Sequence, residues 1–189
     1  KKKLALISNY VEQHVMKEQS GSQDPIWASY GGFNSINFYK NNFKVNKINL
    51  SQKQLNNISK NMLLIYTGIN KFSHNVEKDK ISKLNNNIQY LNSIYDLAKD
   101  LKYEILNSKN YDFIGNILDE YWSIKKKLSK KVSNYKIDEI YNECKSLGST
   151  GGKIIGSGGG GFLLIYCKKK YQNVLKKRMY KLPIIDFNF

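Results

Sequence analysis

Residues 152–167 read GKIIGSGGGGFLLIYC, so that two short apolar runs enclose four consecutive glycines, 158–161. Apolar runs of this length bounded by glycine indicate buried strands, and we expect strands over 153–156 and 162–167. Ordering four adjacent glycines costs much conformational entropy. Two interpretations stay open: a flexible bulged hairpin, or a cradle of backbone N–H groups for phosphate.

Two familiar glycine motifs do not account for this stretch. Residues 156–161 satisfy G-x-G-x-x-G, but that dinucleotide fingerprint must open a helix, and the strand-like run 162–166 follows instead. The phosphate loop of P-loop enzymes needs glycine six residues before its lysine and Ser or Thr after it. Lys153 has Leu147 and Ile154 at those places. Whatever its role, the glycine run acts between two strands.

The charge balance predicts anionic partners without indicating a nucleic-acid groove. The 189 residues carry 31 Lys and Arg against 15 Asp and Glu, a formal net charge of +16. Such a surplus favours nucleic acid, a membrane surface or phosphorylated small molecules. Arg178 is the only arginine, however, and specific base or phosphate contacts usually rely on arginine's planar fork. A solvated lysine-rich surface is preferred, and a basic nucleic-acid-binding module remains the alternative.

Other classes are excluded by features that the sequence lacks. It has no apolar run long enough to span a membrane and no signal peptide at its start. Cys144 and Cys167 do not have the spacing of metal ligands, so no zinc site is expected. Two cysteines fit a reducing compartment, and we expect a cytoplasmic protein.

Apolar spacing predicts an α+β chain with helices on one face of a sheet. The first helix is marked by Leu4, Ile7, Val11 and Val15, and the long third helix is expected to break near Asn85 to Asn87. The apolar stripe of that long helix is Leu84, Ile88, Leu91, Ile94, Tyr95 and Leu101. Helices are expected over 3–18, 26–30, 74–107, 111–131, 135–148 and 170–180, and strands over 34–39, 43–50, 62–66, 153–156, 162–167 and 183–188.

Four sequence blocks, taken in order, resemble one enzyme family. They are GSQDPIWASYGGFNSINF from residue 21, MLLIYTGINKFS from 62, DFIGNILDEYWSIKKKLSKKVSN from 112 and GGKIIGSGGGGFLLIY from 151. Together they resemble the C-terminal two thirds of a GHMP-type small-molecule kinase, and most closely the D-glycero-D-manno-heptose 7-phosphate kinase branch. The resemblance implies the end of a GHMP N-terminal domain over 1–58 and a ferredoxin-like C-terminal domain over 59–189.

The resemblance also assigns roles near the first helix. Asp24 matches the aspartate that acts as base, or electrostatic activator, for the attacking sugar hydroxyl. Glu12 matches the helical glutamate that holds Mg²⁺, a cation that requires hard oxygen donors. Ser22 and Gln23 are expected to bind the sugar. Taken without the resemblance, Asp24 is a turn or cap residue and Glu12 a solvated helical glutamate.

Further roles fall on residues between 67 and 161. One of Lys125 and Lys126, in a W-x-x-K-K match, is expected to neutralise the phosphate of the substrate, with a solvated lysine run as the equal alternative. Thr67 and Lys71 match Y-T-G-x-S-R, with a strand end and a surface lysine as the favoured alternative. The glycine motif, which lies against the active site and supports the nucleotide phosphate loop, matches Gly156, Ser157, Gly158, Gly159, Gly160 and Gly161.

Four positions depart from the pattern of the heptose kinase branch. Ser22 replaces Lys and Pro25 replaces Gln beside the aspartate, which puts heptose specificity in question. Lys71 replaces Arg and would lose bidentate contact with phosphate. Ser157 stands where the branch has Ala.

The expected function is that of a C-terminal portion of an ATP-dependent sugar kinase, with ATP and Mg²⁺ as cofactors and a heptose 7-phosphate hydroxyl as acceptor. A GHMP kinase for another sugar or alcohol is the alternative, and a membrane partner is not expected. The family's P-x-x-x-G-L-x-S-S-S nucleotide loop is not found within these 189 residues. We therefore expect this stretch alone to be inactive.

Isothermal titration of the 189-residue chain with ATP and Mg²⁺ tests this expectation. Without the nucleotide loop, the titration should show no binding in the micromolar range. A dissociation constant at or below about 10 μM, which corresponds to roughly 7 kcal/mol of binding free energy, would contradict it.

Overall fold

The structure is a computed structural model that describes residues 1–40, 42–70 and 73–187. It divides into two compact units, residues 1–53 and 54–189. No helix in the described ranges is both long and apolar enough to cross a membrane.

The first unit combines two helices with a β-hairpin. Helix α1 spans Lys2–Tyr10 and continues into a π-helical turn, Val11–Val15, and α2 spans Gln23–Tyr30. Strands β1 (Asn34–Tyr39) and β2 (Asn42–Lys47) pair antiparallel, with Phe38 opposite Phe43. Alternating apolar and polar residues favour such a hairpin, and the bounds of β1 are as predicted.

The first helix is shorter than predicted, and its apolar stripe does not form a core. The prediction of one helix over 3–18 is wrong, because the α-helical part ends at Tyr10. Leu4, Ile7 and Val15 are each at least half exposed, whereas the small Ala5 is fully buried. A small side chain allows close helix packing, so burial in this helix follows size more than the hydrophobic pattern.

The second unit is built on a four-stranded antiparallel sheet. Its strands are β3 (Met62–Tyr66), β4 (Ser149–Ile154), β5 (Phe162–Cys167) and β6 (Ile184–Asp186), in the order β4-β5-β3-β6. The β-α-β-β-α-β succession of the strands and the helices between them is the ferredoxin-like arrangement that the resemblance implied. Strand β4 begins four residues earlier than expected, because Gly151 and Gly152 pair with β5.

Six helices accompany this sheet in the described residues. They are α3 (Gln52–Ser59), α4 (Ser73–Ser82), α5 (Ile88–Asn107), α6 (Phe113–Leu128), α7 (Tyr135–Ser146) and α8 (Lys169–Arg178). Leu63, Ile65, Leu163 and Ile165 of the sheet form one buried cluster with Trp122 of α6 and with residues of α4, α7 and α8. Predictions missed α3, although Leu55 and Ile58 have helical spacing.

The long third helix is interrupted as predicted, but its stripe is not a core face. A 3₁₀ turn, Asn85–Asn87, separates α4 from α5. Leu84, Ile88 and Tyr95 are all more than half exposed, and the residue of α5 that becomes buried is Ile105. Helical periodicity identifies an apolar face but not whether another element covers it.

Helix α6 approaches strand β4 closely through two glycines. A Cβ placed on Gly151 would overlap the carbonyl oxygen of Gly115, and a Cβ on Gly115 would overlap the side chain of Thr150. Glycine within a helix or a strand lowers local stability, so its presence on both elements indicates that close approach requires it.

Substituting Gly151→Ala should lower the free energy of unfolding by at least about 2 kcal/mol, because the new methyl group has no space. Urea unfolding followed by circular dichroism and by the emission of the fully buried Trp122 measures this change. Gly21→Ala is the matched control, since nothing lies within 4 Å of a Cβ there. Equal losses for the two variants would show that the helix–strand contact is not the cause.

Candidate active site

Asp24 lies in the first turn of a helix and not in an irregular turn. Helix α2 begins at Gln23, three residues before the predicted helix over 26–30, and Ser22 is its N-cap residue. Asp24 and Gln23 are exposed, whereas Ser22 is partly buried. An acidic residue in this turn interacts favourably with the helix dipole, and its exposure leaves both carboxylate oxygens accessible.

Glu12 sits in the π-helical turn and holds the loop that leads to α2. Its Oε2 accepts a hydrogen bond of 3.1 Å from the hydroxyl of Ser20. Beside it, Gln13 donates from Nε2 to the Ser20 carbonyl at 2.8 Å and to the Ser22 hydroxyl at 3.5 Å. These contacts tie the segment before Asp24 to the end of the first helix. π-Helical turns often occur at functional sites.

The sequence did not indicate that Gln13 and Ser20 hold the loop before Asp24. Each is a common polar residue, and only the π-helical turn directs Gln13 toward the loop. The one feature of the sequence that pointed to Gln13 is its position next to Glu12.

The carboxylate of Glu12 is chemically suited to Mg²⁺. That ion keeps several waters and is often bound through one or two carboxylates together with substrate phosphates. Glu12 is only partly buried. In the described residues, no three His, Cys, Asp or Glu side chains form a closed metal cluster. A single partly buried carboxylate of this kind fits the way in which Mg²⁺ is bound together with a substrate phosphate.

The glycine turn, residues 156–161, forms hydrogen bonds with two neighbouring loops. Its Gly159 N–H donates to the Val132 carbonyl at 2.8 Å, and its Gly161 N–H donates to the Ile69 carbonyl at 3.0 Å. Thr67, at the end of β3, donates from Oγ1 to the Gly161 carbonyl at 2.8 Å. Two amides that a phosphate cradle would need are thus already bound to protein. The geometry favours support of other loops over direct phosphate binding.

Side chains are excluded from this turn by backbone on both sides. A Cβ on Gly158 would lie 2.7 Å from the Val132 carbonyl oxygen, and one on Gly160 would lie 2.7 Å from that of Ile69. Gly158 also has φ +112°, a conformation that other residues rarely adopt. Gly156, predicted as the end of a strand, belongs to the turn with φ +74°.

Ser157 faces the interior of the turn. Its hydroxyl is buried and has no hydrogen-bond partner among the residues that the structure describes. Such a site suits the alanine of the heptose kinase pattern, because alanine has no hydroxyl that needs a hydrogen-bond partner.

The two lysines of the W-x-x-K-K match have different surroundings. Lys125 is 4% exposed and donates from Nζ to the Gly156 carbonyl. Its amine lies 5.6 Å from the centre of the Tyr121 ring, and burial raises the pKa of Tyr121 to about 12. Lys126 is partly exposed and pairs with Asp138 at 3.2 Å. Lys125 therefore holds the glycine turn, and Lys126 is the more accessible cation.

A cleft of about 520 Å³ between α6, α7 and β4 lies apart from the glycine residues. Lys126 and Trp122 line it, together with Asp119, Tyr141 and Lys145. Burial raises the pKa of Tyr141, and the hydrogen bond that its hydroxyl donates to Asp119 raises that pKa further. Asp119 also pairs with Lys145 at 2.8 Å. None of residues 156–161 lines this cleft. Lys71, which was matched to an arginine position, lies outside the described residues.

Comparison with known proteins agrees with the motif resemblance. Residues 101–181 match the family model for the C terminal of GHMP kinases. A D-glycero-alpha-D-manno-heptose 7-phosphate kinase of Campylobacter jejuni is 28% identical over 98% of this chain and 56% of its own length. The bifunctional fucokinase/GDP-fucose pyrophosphorylase of Arabidopsis thaliana is 26% identical over 84% of this chain and 16% of its own.

Solved structures show the same fold at lower identity. A D-glycero-D-manno-heptose 1-phosphate kinase from Bacteriodes thetaiotaomicron has a TM-score of 0.74 and 20% identity, covering 98% of this chain and 51% of its own. The mevalonate kinase of Methanococcus jannaschii has a TM-score of 0.67 and 22% identity, and the match covers 96% of this chain and 54% of that kinase. The chain spans about half the length of the heptose and mevalonate kinases that it matches. It carries the GHMP kinase C-terminal sequence in residues 101–181 and has the fold of the GHMP kinases.

Proposed function

We propose that this chain forms the C-terminal portion of an ATP-dependent sugar kinase that phosphorylates a hydroxyl of a heptose 7-phosphate. The observation that carries the proposal is the similarity to a heptose 7-phosphate kinase across 98% of the chain. Residues 1–58 would complete the N-terminal domain and 59–189 form the C-terminal one. The two compact units, 1–53 and 54–189, support this division.

Asp24 is the proposed base. Its exposed carboxylate would orient the sugar hydroxyl and take its proton as the oxygen forms a bond to the γ-phosphorus of ATP. The bond from that phosphorus to the β,γ-bridging oxygen breaks, and ADP leaves. Ser22 and Gln23, which precede Asp24, would contact the sugar.

Glu12 would hold Mg²⁺, which when bound neutralises phosphate charge. Its hydrogen bond with Ser20 keeps the carboxylate fixed relative to the loop before Asp24. Such preorganisation supports phosphoryl transfer, because catalysis of this reaction consists mainly of positioning and charge stabilisation.

The glycine turn, residues 156–161, would support the nucleotide loop, with Lys125 fixing the turn through the Gly156 carbonyl. Lys126 is the proposed partner of the substrate phosphate, because its amine is partly exposed. A lysine binds phosphate as a point charge.

Replacing Asp24→Asn in the longer kinase should lower kcat at least about 100-fold with little change in the KM for ATP, since the general base is lost. The assay follows ADP release with heptose 7-phosphate, other sugars and small alcohols as acceptors. Glu18→Gln, at an exposed carboxylate of the same segment, is the control and should keep activity. Unchanged kcat in Asp24→Asn would exclude the proposed base, and transfer only to another acceptor would exclude the heptose.

The lysine pair gives a second test. Lys125→Met should lower the free energy of unfolding by roughly 1.5–3 kcal/mol, because a charged hydrogen bond is lost inside the protein. Lys126→Met should change stability by less than about 1 kcal/mol, as expected for an exposed ion pair, but should raise the KM for the sugar phosphate. Urea unfolding and steady-state kinetics measure the two effects. The reverse assignment would appear as a stable Lys125→Met protein with a raised KM.

A further inference from the structure

An exposed apolar seam runs along α4, the 3₁₀ turn and α5. It consists of Ile81, Leu84, Ile88, Leu91 and Tyr95, which are 37–65% exposed. Ile88, Leu91 and Tyr95 lie on α5 at spacings of three and four residues, as in helices that pair with another helix, and Ile81 and Leu84 precede the 3₁₀ turn. This set, called the seam below, adds Ile81 to four residues of the apolar stripe predicted for the long third helix.

The segment that carries the seam is attached to helix α6 by a hydrogen bond, and a groove lies beside this attachment. Asn87 is buried and donates from Nδ2 to the carbonyl of Leu128, at the end of α6, at 2.9 Å. A groove of about 180 Å³ includes Asn87 and is lined on its apolar part by Ile81, Leu84, Leu91 and Leu128, with Glu77 and Lys80 at its polar part. An apolar side chain from another helix would fit such a groove as a knob fits a hole.

The charges around the seam differ from those of the rest of the chain. Residues 77–104 contain five acidic and five lysine side chains, so the whole net charge of +16 lies elsewhere. Like charges would therefore oppose self-association over most of the surface but not here. The charges close to the seam are paired within the chain as Glu77 with Lys80, Asp79 with Lys83 and Asp96 with Lys99.

The two ends of this segment carry complementary charge. Residues 77–83 have three lysines and two carboxylates, whereas 96–104 have three carboxylates and two lysines. In an antiparallel pair, the basic end of one copy lies over the acidic end of the other. Ile88, near the middle of the seam, would then lie close to the two-fold axis. A symmetric interface requires such a self-complementary surface.

We propose that the seam is the interface of a homodimer in which a second copy of this chain packs its α5 antiparallel against the first. The exposed Tyr95 of each copy lies toward the groove at Ile81 and Leu84 of the other. The seam covers 15 residues, 81–95, across the end of α4, the 3₁₀ turn and the first half of α5. A contact of this length is small for a protein interface, so we expect a weak dimer that forms and dissociates reversibly.

Sedimentation of the 189-residue chain from about 1 to 200 μM measures this association. The wild type should convert from monomer to dimer within this range. Leu84→Glu with Ile88→Glu should remain monomeric, because four carboxylates would be buried at the interface. Val174→Glu, an exposed aliphatic position on α8, is the control and should dimerise as the wild type does. Circular dichroism of each variant confirms that it is folded.

Cysteine cross-linking tests the antiparallel geometry. Cys144 and Cys167 are fully buried, so neither native thiol competes with the thiol that Ile88→Cys adds. Oxidation should give a disulfide-linked dimer of Ile88→Cys but not of the control Val174→Cys. A wild-type 189-residue chain that stays monomeric at 200 μM overturns the proposal. So does a dimer that survives the two glutamates.

Discussion

The contact on which the second unit depends is that of bare backbone against bare backbone at the glycine turn. The amides of Gly159 and Gly161 donate to carbonyls of the loops after α6 and after β3, and side chains on Gly158 or Gly160 would separate these segments. The turn is thereby fixed at the end of the β4–β5 hairpin. The entropy lost in ordering the glycines is offset by hydrogen bonds that no other residues could make at this distance.

Lys125 adds charge to this arrangement. A buried ammonium group is costly unless polar groups surround it, and the Gly156 carbonyl and the Tyr121 ring lie beside it. In the first unit, hydrogen bonds between residues close in sequence play a similar part: Gln13 and Glu12 hold the loop before Asp24 through Ser20. Within each unit, the candidate residues are thus positioned by polar residues next to those that the chemistry would use.

Local features of the fold could be read from the sequence because short-range spacing decides them. The bounds of β1, β3 and β5 follow from alternating or continuous apolar residues, and the break at Asn85 to Asn87 follows from polar residues within a helical pattern. The helix α3 escaped notice because eight mostly polar residues give a weak pattern. Motifs identified Glu12, Asp24 and the glycine turn as candidates, but neither Gln13 nor the different surroundings of Lys125 and Lys126.

The sequence by itself determined the order of the strands and of the helices other than α3, the location of the glycine turn and the resemblance to GHMP kinases, since each depends on residues close together in the chain. Tertiary structure alone decided which apolar faces are covered. The stripe of α1 and the seam on α4 and α5 have the same periodicity as buried helices, yet they lie exposed. Periodicity describes one helix, whereas burial depends on what packs against it, and that is set by distant parts of the chain.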